Sequence, residues 1–146
     1  MDDNALFIDT NVLVYANIAE APIHSQALAK LGNAHHQGRP LWISRQVLRE
    51  FAAVRSRSQP FAQAATPEII VQRLRYFMDH FEVADDTSLV SEHLLTLMAE
   101  LPIGGKQIHD ANIVATMMAA GIPALLTHNV KDFKRFEKYI RIETLV

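Results

Sequence analysis

Apolar positions recur along this chain in two patterns, and their alternation sets out the elements to expect. Leu6-Phe7-Ile8, Leu41-Trp42-Ile43, Phe81 to Ala84, Ala124 to Thr127 and Ile140-Arg141-Ile142 are short, mainly apolar runs with the length of strands. Between them the spacing turns helical. Val12 to Ala16 continue the first run as a short helix. Pro22 opens a longer helix with Ile23, Ala27, Leu28, Leu31 and Ala34 on one face, ended by Gly38. Val47, Leu48, Phe51 and Val54 mark the next. Arg55 to Pro60 is polar and ends in proline, so that helix should stop there.

The second half repeats the scheme. Thr66-Pro67 reads as an N-cap followed by proline at the first helical position, ahead of a stripe made by Ile70, Leu74, Phe77 and Met78. Asp85-Asp86-Thr87 caps a helix carrying Leu89, Val90, Leu94, Leu97, Met98 and Leu101, and Pro102 to Lys106 is a turn. Ile108 to Ala120 is the most apolar helical stretch, with Gly121 as its C-terminal cap, and His128 to Lys138 reads as a loop and short helix. Strands alternating with helices imply βαβ units and an α/β fold. No repeat, low-complexity tract or domain boundary interrupts residues 1–146, so one domain is expected.

Chemistry enters where the first apolar run ends abruptly in Asp9-Thr10-Asn11, which sets a carboxylate at a strand tip, the end of an open α/β sheet where ligands bind. Glu50 and Asp110 occupy comparable places early in helical segments that follow a strand or a turn. Carboxylates crowded at one edge either hold protons with raised pKa values or bind a cation. Oxygen ligands without sulfur point to Mg²⁺ or Mn²⁺, and such an ion suits phosphodiester hydrolysis. Thr10, Asn11, Ser44 and Thr127 are the polar neighbours able to orient the acids.

Composition narrows the classes around that site. The chain has no cysteine, which excludes disulfides and thiolate zinc sites and fits a reducing compartment. A net charge of −2 gives no basic field, so contact with nucleic acid would need a local patch. Arg45, Arg49, Arg55 and Arg57 lie on and after the helix that carries Glu50 and could guide an RNA backbone, as could Lys106; solvated surface arginines are an equal reading. The acidic N-terminus is unlike a signal peptide and no apolar run approaches the roughly 20 residues of a membrane span, so a cytoplasmic protein without a membrane partner is expected.

Four motifs resemble, in order, the PIN-domain ribonucleases, and among them VapC-like toxins: Ile8 to Leu13, Ile43-Ser44 through Glu50-Phe51, Gly105 to Ala111, and Leu126 to Phe133. The middle helices, about Gln59 to Leu101, match in pattern only. The resemblance implies a five-stranded parallel sheet flanked by helices, an endoribonuclease using Mg²⁺ or Mn²⁺, a homodimer, and inhibition by a small antitoxin protein. Asp9, Glu50 and Asp110 match the family's first three acidic positions, with Asp9 and Asp110 as metal ligands and Glu50 acting through a water.

At the fourth position many members carry Asp two residues after the strand threonine. Here Asn129 stands there, and Asp132 follows three residues later. Asp132 is assigned the fourth catalytic role; Asn129 could still hold a water or phosphate through its amide.

Plainer readings stand beside these. Asp9 and Thr10 could be helix caps, Glu50 could point to solvent, Asp110 could simply favour the positive end of its helix, and Asp132 could cap the short helix after it. No histidine is assigned a catalytic role, and Met117-Met118 reads as core or dimer surface. Two other functions compete with the ribonuclease. An aspartyl-phosphate phosphatase needs a second Asp where Asn11 stands. A degenerate module binding RNA or protein without cleavage is the alternative kept open.

Overall fold

A computed structural model describes residues 3–146. Its strands are β1 (Leu6–Ile8), β2 (Leu41–Ser44), β3 (Glu82–Ala84), β4 (Ala124–Thr127) and β5 (Arg141–Thr144). Its α-helices are α1 (Thr10–Asn17), α2 (His24–His36), α3 (Arg45–Arg55), α4 (Pro67–His80), α5 (Ser88–Glu100), α6 (Gln107–Ala120) and α7 (Val130–Phe133).

All strand pairs are parallel and the order is β3-β2-β1-β4-β5. The chain therefore builds outward from β1 on one side, through β2 and β3, then crosses back to add β4 and β5 on the other. Such a reversal of direction opens a crevice at the carboxyl ends of the two strands that flank it, β1 and β4. Asp9 directly follows one of them and His128-Asn129 the other.

The core runs through these central strands. Every residue of β1 and β4 is buried, as an all-parallel sheet covered on both faces requires. In α6, Ala111, Ile113, Val114, Ala115, Thr116 and Met117 are buried, which makes Met117 core. Its end is set by Gly121 at φ 71°, a left-handed conformation that glycine adopts without steric cost. Three hydroxyl caps are formed as read from the sequence: Ser44, Thr66 and Thr87 accept from the backbone N–H of Val47, Ile69 and Val90.

Some boundaries differ. The second helix starts at His24 rather than at Pro22, because Ile23 takes a left-handed backbone (φ 53°) that cannot belong to the helix; His24 Nδ1 then lies 2.7 Å from the carbonyl of Tyr15. Thr87 alone caps α5, since Asp85 and Asp86 reach across to Arg45 and Arg49 instead. The last strand runs on through Glu143 and Thr144, and Arg39 grips Glu143 with two hydrogen bonds of 2.9 Å. No helix among the described residues is long and apolar enough to cross a membrane.

Candidate active site

The site grows from the β1–α1 junction. Asp9 leaves the strand with extended backbone (φ −70°, ψ 154°) and serves as N-cap of α1, so its carboxylate turns back over the helix start. Oδ1 accepts from the Thr10 N–H at 2.8 Å; Oδ2 accepts from Thr127 Oγ1 at 2.7 Å and from Asn11 Nδ2 at 3.1 Å. The capping reading is thus true of Asp9, but a cap alone has no need of two further donors from Asn11 and β4.

Thr127 is the hub that ties the strands together. Its hydroxyl donates to Asp9 and accepts from the Asn129 N–H at 3.0 Å, while Asn11 Oδ1 accepts from the His128 N–H at 3.1 Å. Asp9 is only 5% exposed, and burial pushes its pKa from the usual 3.8 up to about 6 although hydrogen bonds from Thr127, Thr10 and Asn11 oppose the shift.

Glu50 comes from the second turn of α3 and does not point away into solvent. Its Oε1 accepts from Thr10 Oγ1 at 2.7 Å and its Oε2 from Gln46 Nε2 at 3.0 Å. Gln46, one helical turn earlier, is buried. The same Nε2 donates to the His109 carbonyl at 2.9 Å, and its Oε1 accepts from Asn112 Nδ2 at 2.8 Å. Gln46 and Asn112 thereby fasten α3 to α6, and neither was singled out from the sequence. The available signal was spacing, Gln46 four residues before Glu50 and Asn112 two after Asp110, but those intervals are common on any helix.

Asp110, in the first turn of α6, completes the group from the opposite side. No described donor bonds its carboxylate. Burial first, then the negative charges of Asp9, Asp132 and Glu50, push its pKa from 3.8 up to about 6, with Arg135 pulling the other way. Asp9, Glu50 and Asp110 line one open cleft of about 540 Å³, together with Thr10, Asn11, Lys106 and Asn129. Asp132 does not line it. It lies in the third position of α7, whose N-cap is Asn129, so the reading of Asp132 as that cap is corrected; its charge nonetheless reaches Asp110.

Three other residues stand apart from their expected places. Ser44 caps the helix bearing Glu50 and reaches none of the acids. Arg45 and Arg49 are outside the cleft lining and pair with Asp85 at 3.0 Å and Asp86 at 3.3 Å, whereas Arg57 lines it. Among the described residues no three His, Asp or Glu side chains are close enough together to form a ready-made metal cage.

A PIN domain family model matches residues 6–139. The chain belongs to the PIN-domain family. Within this PIN domain, β5 lies past the matched stretch yet pairs along β4 as the edge of the sheet. Similar solved structures include VapBC2 from Rickettsia felis bound to a promoter DNA fragment, 25% identical with TM-score 0.72, covering 96% of this chain and 98% of that one. DNA-bound VapBC from Salmonella typhimurium is 24% identical with TM-score 0.68 over 97% and 98% of the two chains. VapC20 from Mycobacterium tuberculosis, a toxin that cleaves the Sarcin-Ricin loop, is 16% identical with TM-score 0.68 over 90% and 95%. No curated protein matched in a sequence comparison.

Proposed function

We propose that this PIN domain is an endoribonuclease dependent on Mg²⁺ or Mn²⁺, the toxin of a toxin–antitoxin pair, acting as a homodimer and restrained by a small antitoxin protein. The observation that carries the chemistry is the crowding of Asp9, Glu50 and Asp110 at the β1/β4 crevice, with two of the carboxyls pushed up to about 6 and one of them lacking any described hydrogen-bond donor. Membership of the family and the likeness to VapC-containing structures support a nuclease of that kind.

The donor set fits a hard cation, being all oxygen and too crowded to ionise comfortably without one. No three of the described acids stand close enough to cage a bare ion, so the proposed ion is one that keeps several of its waters, as magnesium does, with Asp9 and Asp110 holding it and Glu50 acting through a water. When bound, the ion neutralises the acids and polarises the phosphoryl group under attack. The chain supplies the rest. Thr127, Asn11 and the Thr10 N–H fix Asp9; Thr10 and Gln46 fix the two oxygens of Glu50; Lys106 and Asn129 line the cleft and would meet phosphate oxygens. Water adds to phosphorus, the P–O bond to one ribose breaks, and the water's proton ends on the departing oxygen.

The test is incubation of the purified protein with single-stranded RNA and Mg²⁺, Mn²⁺ or chelator. Cleavage with either ion, stopped by chelator and absent in Asp9→Asn, supports the reading; no cleavage under any of these conditions overturns it. A second reading, a PIN module that binds RNA or protein without cutting, draws on Asn129 standing where an acid is common, and the same assay coupled to RNA retention separates the two.

A further inference from the structure

The cleft is larger than its acids require. A hydrated ion with six waters, at about 30 Å³ for each water, fills on the order of a third of its roughly 540 Å³. The remaining lining is of a different character. It follows one face of α1 from Asn11 to Tyr15, and one face of α3 from Glu50 through Ala53 and Val54 to Arg57 just past the helix end, closing on Gln59 and Phe61. Four residues of helix rise about 6 Å and seven about 10 Å, so the lining runs on past the acids by a length of nucleotide size.

Phe61 is held there by its own turn. Gln59 and Ala62 exchange backbone hydrogen bonds of 2.7 and 3.2 Å around Pro60-Phe61, the Ala65 N–H donates to the Arg55 carbonyl at 2.8 Å, and Gln59 Nε2 donates to the Val54 carbonyl at 3.0 Å. The turn is therefore stapled to the end of α3. A turn residue after proline ordinarily faces water, yet Phe61 is half-buried and packs against Tyr15, with ring centroids 6.2 Å apart at 55°. Tyr15 is itself braced edge-on by His128 at 5.5 Å. Arg57 lines the same end with its Nε donating to the Ala53 carbonyl at 3.3 Å, which leaves the rest of the guanidinium directed to the cleft or solvent.

We propose that this end of the cleft is a nucleobase subsite, in which an unpaired base next to the cleaved phosphate stacks on the Phe61–Tyr15 pair while Arg57 takes the neighbouring phosphate. Bases of single-stranded RNA are bound in this way, by aromatic faces with cations along the backbone, and a base inside a duplex could not reach the pair. The inference rests on the ribonuclease reading and adds to it the residues that would select a base beside the cut, Phe61, Tyr15 and Arg57.

The test is steady-state cleavage of single-stranded oligoribonucleotides with Mg²⁺ by wild type, Phe61→Leu and Phe61→Tyr, with melting curves to establish that each is folded. Leucine keeps the apolar volume and loses the ring face. Phe61→Leu should raise KM by at least about fivefold, the lower end for one stacked base, flatten the sequence preference beside the cut and change kcat less, while Phe61→Tyr restores the wild-type values. A folded Phe61→Leu with unchanged KM and unchanged preference overturns the subsite and leaves the nuclease intact. Failure of the wild type to cleave removes both.

Discussion

The two sides of the acidic cleft solve one problem differently. Asp9, at the tip of β1, has both carboxylate oxygens engaged by three donors, whereas Asp110, on α6, has no described donor at all. Both are pushed up to about 6, Asp9 by burial that its hydrogen bonds only partly offset, Asp110 by burial with three neighbouring negative charges added. Asp9 is thus fixed in place before anything binds. Asp110 is relieved only in part by the positive charge of Arg135, and a proton or a bound cation would relieve it further. A hydrogen-bonded acid facing an unbonded one makes a site that favours added positive charge.

Charge-removing substitutions should give the largest effects. Asp9→Asn and Asp110→Asn should each lower RNA cleavage by more than the roughly 10–100-fold typical of losing a ligand's outer partners. Their effects on metal-free stability should differ. Asp110→Asn removes repulsion and breaks no described hydrogen bond, so its melting temperature should rise. Asp9→Asn also discharges a buried group, but its new NH₂ must face either the Thr10 N–H or the Asn11 amide, so its gain should be smaller or nil. Thermal melts in chelator that rank the two variants the other way would undo the distinction between the two sides.

The pH dependence follows from the same shifts. In the folded state Asp9 holds its proton to about 6, against 3.8 when exposed, so between those values the folded chain carries more bound protons than the unfolded one. Metal-free stability is therefore fully present below about 4 and falls as pH rises to 6, by about 3 kcal/mol for this group. Divalent ions act in the opposite sense, since binding requires the carboxylates to ionise, and their affinity should climb through pH 6. At about 100 times its dissociation constant the ion should add roughly 2.7 kcal/mol. Melts at pH 5 and 7.5, with and without Mg²⁺, should show the ion's benefit at the higher pH; equal benefit at both would mean that it binds elsewhere.

Gln46 tests the bridge between the halves. Gln46→Leu keeps the volume but removes the side-chain donor to the His109 carbonyl, leaves the Asn112 amide only its longer bond to Asp86 at 3.5 Å and frees one oxygen of Glu50, so it should cost about 1–3 kcal/mol of stability and lower kcat more than it raises KM. A variant as stable as wild type would mean that solvent replaces those contacts freely.

What could be read in advance was whatever the sequence states locally. The abrupt end of Leu6-Phe7-Ile8 at Asp9, the hydroxyl caps at Ser44, Thr66 and Thr87, and the glycine at 121 each follow from neighbouring residues, and the five-stranded parallel sheet came with the family's motifs, whereas the strand order came only with the structure. Residues that matter through distant partners were silent. A glutamine on a helix looks the same whether it meets solvent or Asn112, and Arg45 and Arg49 looked available for RNA because Asp85 and Asp86, 37 or more residues away, gave no sign of reaching them. Phe61 was passed over because a residue after proline in a polar loop ordinarily faces water. Glu143 was missed as strand because its stabilising partner, Arg39, is 104 residues away.

The smallest effects should come from the rim of the Asp110 side, where Asn129 and Asp132 stand at and near the position that many family members fill with an acid. Asn129 lines the cleft without charge, and Asp132 brings charge without lining it. Asp132→Ala removes one of the charges that raise Asp110, so the acidic limb of the pH–activity profile should move to lower pH, while the site's affinity for Mg²⁺ falls a few-fold through the lost negative field. Asn129→Ala should leave that limb where it is and act on KM, because it removes only an amide at the wall. Of the two, Asp132→Ala should lower activity more at neutral pH. Asn129→Asp should strengthen Mg²⁺ binding and move the limb upward, since a new negative charge in the cleft raises Asp9 and Asp110 together. A silent Asp132→Ala beside a crippled Asn129→Ala would assign the fourth position to the amide and leave Asp132 as a surface residue of α7.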